Sequence, residues 1–257
     1  MDAAAPVTLR IERDPPVATV TLSRPERLNA LSLPAMAKLL DACQHLSHDD
    51  DCHVVQLRGV GRAFCAGFDL DALGADAPLD PEGADLGRRL IDAWSALPQV
   101  TLAAVHGACI GGGVLLAAAC DLRIAARDAS FRLPEVELGL PLAWGGMPRL
   151  VRLVGPAVAA ELVLDASPID AVQAQQWRLV NRVVDAAHLD AEAAAWARRL
   201  ASRPPTVLRA VKRRWAQAVE ALSPALGDAG DARDLLDALT DPPSQAARAA
   251  YLKAQGR

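Results

Sequence analysis

Apolar side chains alternate with polar ones at the start of the chain. Residues 7–11 and 17–22 carry β-branched side chains at alternating positions, with Asp14-Pro15-Pro16 between them, so a hairpin is predicted. The period then changes. Residues 33–46 show helical spacing, with Ser32 placed to cap and Pro34 in the first turn. A strand over 54–57 runs into Gly59-Val60-Gly61, and residues 73–83, rich in Gly, Pro and Asp, read as a mobile surface loop. Helical spacing over 85–97 precedes a buried strand at 101–105, a buried helix at 113–119 and a strand at 122–126. Beyond Met147 the pattern is nearly all helix, broken at Pro156, Pro168, Pro204-Pro205 and Pro242-Pro243.

Strands and helices that alternate and then give way to helices predict a layered α/β core with a helical C-terminal part. Neither a long linker nor a repeat divides the chain. Residues 1–195 therefore read as the core, and 196–257 as a helical region of the same structural unit. Residues 100–120 contain no Asp, Glu, Lys or Arg and are long enough to cross a bilayer. His106, the four glycines and the lack of an immediately flanking basic residue favour a buried strand, a glycine loop and a buried helix instead.

Composition narrows the function classes. With 52% hydrophobic and 23% charged residues the chain can bury a sizeable core, and with only 4% aromatic residues that core must rely on small side chains. A net charge of -4 gives no general attraction to nucleic acid, although a local site could still hold a polyanion. Cys43, Cys52, Cys65, Cys109 and Cys120 show neither CxxC pairing nor histidines at ligand spacing. No metal site or disulfide framework is expected, and a reducing cytoplasm fits. Residues 1–7 lack the basic start and apolar stretch of a signal peptide.

Two glycine-bearing segments stand out. Ala63-Phe64-Cys65-Ala66-Gly67-Phe68-Asp69-Leu70 follows a predicted strand, and His106-Gly107-Ala108-Cys109-Ile110-Gly111-Gly112-Gly113 joins a strand to an apolar helix. Glycine allows unusual dihedrals and close approach to the backbone, and amides at a loop-to-helix junction point outward unpaired. Two such junctions facing each other would offer two N–H donors to one oxygen, which an enolate formed from a thioester requires. Either loop alone is explained equally well by tight packing. Neither has the GxGxxG spacing of a dinucleotide site.

Taken together and in this order, the segments resemble the enoyl-CoA hydratase/isomerase (crotonase) family. The resemblance extends over Asn29-Ala30-Leu31-Ser32, Ala103-Ala104-Val105-His106-Gly107, Cys120-Asp121, Phe131, Pro134-Glu135, Leu138-Gly139, Gly145-Gly146 and Arg149-Leu150. It implies an α/β fold, a spiral of ββα turns with a helical C-terminal trimerisation region, assembled as a homotrimer or homohexamer. It also implies an acyl-CoA or enoyl-CoA substrate, with coenzyme A entering as part of that substrate and no metal or redox cofactor. By the same resemblance the oxyanion-hole amides fall on Phe68 and Gly112. Ala66, Asp69 and Leu70 should lie along the coenzyme A moiety, and Glu135 matches the second glutamate of family hydratases.

The departures from the family pattern are as informative. Leu115 stands where the first hydratase glutamate would be, so one carboxylate is left to move a proton, and double-bond isomerisation becomes the leading reaction. Hydration with an unrecognised second group, or weak acyl-CoA binding without chemistry, are the alternatives. Trp144 either fills part of the acyl pocket or packs against the helix starting near Met147. The chain has no histidine between His53 and His106 and no acid at Ala143, which disfavours the family's dehalogenase chemistry, and His106 itself reads as a core residue. Asp71 replaces a basic residue found in some relatives, leaving Arg27, Arg62 and Lys253 as candidates for the coenzyme A phosphates. Leu235, Leu236 and Leu239 would be exposed in a monomer, which supports assembly.

Overall fold

The computed structural model describes residues 8–73, 79–222 and 230–256. The first part of the expected opening strand, the N-terminal residues 1–7 and the segment 74–78 of the expected loop lie outside the described residues. The hairpin is β1 (Leu9–Asp14) and β2 (Val17–Leu22), followed by α1 (Leu33–Ser47), which Ser32 caps through its hydroxyl oxygen. Three successive turns then follow one plan. A strand joins a large sheet, a shorter one joins a small sheet, and in the first two turns a helix closes the turn.

The first turn is β3 (Val54–Gly59), β4 (Ala63–Cys65) and α2 (Pro81–Ser95). The second is β5 (Val100–Val105), β6 (Ala108–Ile110) and α3 (Gly112–Ala118). The third contributes β7 (Leu122–Ala126) and β8 (Ser130–Arg132). The residues 100–120 are thus two strands and a short helix, and among the described residues no helix is long and apolar enough to cross a membrane.

The remainder is α4 (Gly146–Val154), α5 (Pro156–Leu164), β9 (Ile169–Asp170), α6 (Ala171–Gln176), β10 (Arg182–Val184) and α7 (Leu189–Ala201). Three last helices are α8 (Pro205–Leu222), α9 (Asp231–Thr240) and α10 (Pro242–Ala254). The large sheet has the order β1-β2-β3-β5-β7-β10, parallel except for the hairpin, and the small one the order β4-β6-β8-β9. Parallel central strands are covered on both faces, which accounts for the continuous apolar run of β5. One core lies between the sheets and α1 to α3, and a second forms where Trp196 and Ala197 of α7 pack on the outer sheet face.

Helix α2 begins at Pro81, four residues before the expected start. The Asp80 carboxylate accepts the Gly83 N–H at 2.7 Å, and proline needs no partner in a first turn, so the local capping outweighs the loop-like composition. The boundary expected at residue 195 falls in the middle of α7, which runs unbroken across it.

The leucines of α9 do not await a second subunit. Leu235 is buried with Leu79, Ala84, Leu138 and Leu140, and Leu236 and Leu239 pack against the same cluster. That overturns the reason given above for assembly. The exposed apolar stripe is on α8 instead, where Val207, Val211 and Trp215 are 54%, 61% and 47% exposed at every fourth position. On its inner side α8 is held by Lys212, whose Nζ lies 2.8 Å from Asp121 and 2.7 Å from the Gln99 carbonyl.

Candidate active site

Parallel pairing of β4 with β6 places the two glycine segments side by side. Gly67 has φ +85°, and a Cβ there would lie 2.6 Å from the Ile110 carbonyl oxygen and 3.1 Å from the Gly112 nitrogen. Only a residue without a side chain allows that approach. Around it the amides are committed: Ala66 N–H donates to Leu28 and Asp69 N–H to Leu31. The Phe68 amide between them has no acceptor among the described residues. Gly112 opens α3, where a first-turn N–H has no partner within the helix. Among the described residues, two amides on neighbouring loops are therefore left without a backbone acceptor, the kind of donor pair an oxyanion site requires.

Both residues line a cavity of about 540 Å³. Glu26, Arg27 and Arg62 supply charged parts of its wall, and Leu79, Ala84, Leu115, Leu140 and Leu142 supply apolar parts. Ala66, Asp69, Leu70, Glu135 and Trp144 line the same space, so the candidate oxyanion, acid/base and acyl-CoA residues named from the sequence meet in it.

Glu135 follows β8 at the Pro134 turn. The residue is partly exposed, but its Oε2 is buried without a hydrogen-bond partner among the described residues. Burial pushes the carboxyl up to about 7, against a smaller opposing effect of its own backbone N–H. Leu115, in the first turn of α3, is 2% exposed and reaches toward Gly146. Trp144 has φ +61° and packs its ring edge-to-face on Phe68, with centroids 6.0 Å apart.

Asp69 lines the cavity, yet its carboxylate is occupied by Arg24 at 2.5 Å and Arg27 at 3.2 Å. Burial pushes this carboxylate up, but hydrogen bonds from Arg24, the Asp71 amide and Arg27 outweigh it and hold the group below its usual range. Arg27 also pairs with Asp71, and its hydrogen bond to Asp69 raises it further. Asp69 thus anchors the Phe68 loop to the segment 24–27, and Arg27 is largely spent on carboxylates. Arg62 is a cavity-lining cation with no ion pair among the described residues; Lys253 is exposed and outside the lining. His106 Nε2 lies 2.9 Å from the Gly61 carbonyl, also outside the lining.

The sequence pattern missed the contribution of the last helices. Leu235 of α9 and Tyr251, Leu252 and Gln255 at the end of α10 line the cavity from a distant part of the chain. Tyr251 is the one tyrosine of a chain poor in aromatics, which is the signal that could have singled it out.

A family model described as enoyl-CoA hydratase/isomerase matches residues 12–251. A probable enoyl-CoA hydratase of Mycobacterium tuberculosis is 37% identical over 208 residues, 80% of this chain and 79% of the relative. The peroxisomal Delta(3,5)-Delta(2,4)-dienoyl-CoA isomerase of Arabidopsis thaliana is 36% identical over 188 residues, 68% of each chain. Among solved structures, an enoyl-CoA hydratase/isomerase from Xanthobacter autotrophicus Py2 superposes with a TM-score of 0.85 at 31% identity, covering 97% of this chain and 93% of its own.

Proposed function

Since the chain belongs to the enoyl-CoA hydratase/isomerase family of enzymes, we propose that it relocates a proton on an enoyl-CoA thioester with Glu135 as its single acid/base. The thioester oxygen accepts the Phe68 and Gly112 N–H groups. Glu135 as carboxylate takes a proton from C2 of a 3-enoyl-CoA, and the electron pair delocalises onto the thioester oxygen and C4. The protonated Glu135 returns the proton to C4, which leaves the double bond between C2 and C3. No water is consumed and no electrons are transferred. Coenzyme A takes part only as the carrier of the acyl group.

The observation that carries this reading is the company Glu135 keeps. Of the carboxylates lining the cavity, Asp69 is paired with Arg24 and Arg27, and Glu26 lies 3.9 Å from Arg24. Glu135 alone among these has no ion pair among the described residues, and Leu115 fills the position where a second acid/base would stand. An apolar side chain there excludes water and cannot exchange a proton. A raised carboxyl suits a group that must both take and return one.

Hydration is the second reading. The mycobacterial relative carries a hydratase name, and Tyr251 in the same cavity wall brings a hydroxyl able to hold water. Incubation with a 3-enoyl-CoA separates the two. Isomerisation builds up the conjugated 2-enoyl thioester, seen by its ultraviolet absorbance, whereas no such product from any 3-enoyl-CoA would refute the isomerase reading.

We further propose assembly into a homotrimer or homohexamer, with the Val207, Val211 and Trp215 stripe of α8 covered by a second copy.

A further inference from the structure

Trp144 sits in a slot that two glycines create. A Cβ on Gly87 of α2 would lie 2.0 Å from its Cε2, and one on Gly112 of α3 would lie 2.3 Å from its Cζ3. Neither helix could carry a side chain there, so the indole fills the gap that the missing side chains leave. Four residues before Gly87 on the same helix, Gly83 lines the cavity together with Ala84, so the small-residue face of α2 leads from the open cavity to the slot. The indole closes the end of that path.

The ring is held in place from several sides. Its backbone takes the left-handed conformation that side chains of this size rarely adopt, and Gly145 follows with φ +65°. The Gly145 N–H donates to the Asp231 carboxylate of α9 at 2.6 Å, and the Gly146 N–H donates to the Ala143 carbonyl at 3.1 Å. Phe68, whose amide belongs to the candidate oxyanion hole, meets the ring edge-to-face. An unfavourable backbone conformation kept by so many contacts marks a side chain whose position matters.

We propose that Trp144 is the specificity-determining residue of the acyl pocket: it ends the pocket between α2 and α3, so the enzyme accepts short acyl chains and rejects long ones. The inference rests on the acyl-CoA reading of the site. Removing the indole would join the slot to the cavity and give extra methylenes an apolar place to be buried.

The test compares butyryl-CoA with decanoyl-CoA in heavy water, following deuterium uptake at C2 by mass spectrometry in the wild type, Trp144→Ala and Trp144→Leu. The wild type should favour butyryl-CoA in kcat/KM by at least ~10-fold, equivalent to the burial of roughly two methylenes. Trp144→Ala should shift the ratio toward decanoyl-CoA by at least ~10-fold, chiefly through KM, and Trp144→Leu, which keeps more of the apolar packing, should shift it in the same direction. Equal use of both chains by the wild type, or an unchanged ratio in whichever variant melts as a folded protein, overturns the inference alone. Failure of every acyl-CoA to exchange or bind would overturn the acyl-CoA reading and the inference with it.

Discussion

A carboxylate oxygen of Glu135 lies against the backbone of Gly111, so closely that a Cβ on the glycine would come within 2.7 Å of Oε1. Gly111 has φ +52° and donates its N–H to the Arg132 carbonyl at 2.8 Å, tying the start of α3 to the strand that leads to Glu135. The proposed base and the proposed oxyanion donor therefore meet adjacent residues, Gly111 against the carboxylate and Gly112 at the amide. Gly111→Ala should push the carboxylate aside and lower kcat by about 10- to 100-fold, the scale of an ångström of misplacement, with a smaller change in KM. Steady-state kinetics with a melting curve as folding control checks this; unchanged kcat would show that the contact does not position the base.

Glu135→Gln should lower turnover by at least ~100-fold and leave acyl-CoA affinity nearly unchanged. Because the base must be ionised and burial pushes it up to about 7, wild-type kcat/KM should rise with pH through about 7. Stability should move the opposite way. A carboxyl whose folded value lies above the ordinary 4.5 contributes stability that is fully present below 4.5 and is lost as pH rises through about 7. Thermal melts of Glu135→Gln should therefore gain on the wild type between pH 5 and pH 8. A constant difference across that range would contradict the buried, raised carboxyl.

Asp69 should prove structural. Asp69→Ala leaves Arg24 and Arg27 without their shared partner and frees the loop that carries Phe68. Denaturant unfolding should show a loss of about 2–3 kcal/mol, the cost of stranding charged hydrogen-bond partners in a partly buried site. A loss well under 1 kcal/mol would mean that the loop holds its place without the carboxylate.

Much of the site was legible because its parts are local. Glycines at 67 and 111–113 mark the backbone approach directly, and Pro134-Glu135 lies within one short stretch. Strands of two or three residues such as β4, β8 and β9 carry too few positions for a period to appear, so the small sheet was not foreseen as a sheet. The cavity wall formed by Leu235, Tyr251 and Gln255 depends on α9 folding back onto α2 and α10 packing on α9, which no local pattern encodes. The same long-range packing explains why the apolar face of α9 was misread as an interface. Trp144 was visible as a departure, but its slot exists only because Gly87 and Gly112 meet across two helices.

Assembly should depend on α8. Light scattering at micromolar concentration should give a trimer or hexamer for the wild type, and Val211→Glu, which puts a charge in the middle of the exposed stripe, should give smaller species. A wild type that runs only as a monomer would refute the assembly.

On the proposed single-carboxylate mechanism, Leu115 is the residue that separates moving a proton from adding water. The experiment runs one enzyme preparation in heavy water, measuring deuterium uptake at C2 and C4 of an acyl- or enoyl-CoA beside water addition to crotonyl-CoA. Leu115→Glu runs in parallel, and its hydration rate should rise, limited by the desolvation of a new buried carboxylate. With Glu135 as the single acid/base, wild-type exchange should outrun hydration clearly. Hydration by the wild type as fast as its proton exchange would contradict the single-carboxylate mechanism and make this chain a hydratase.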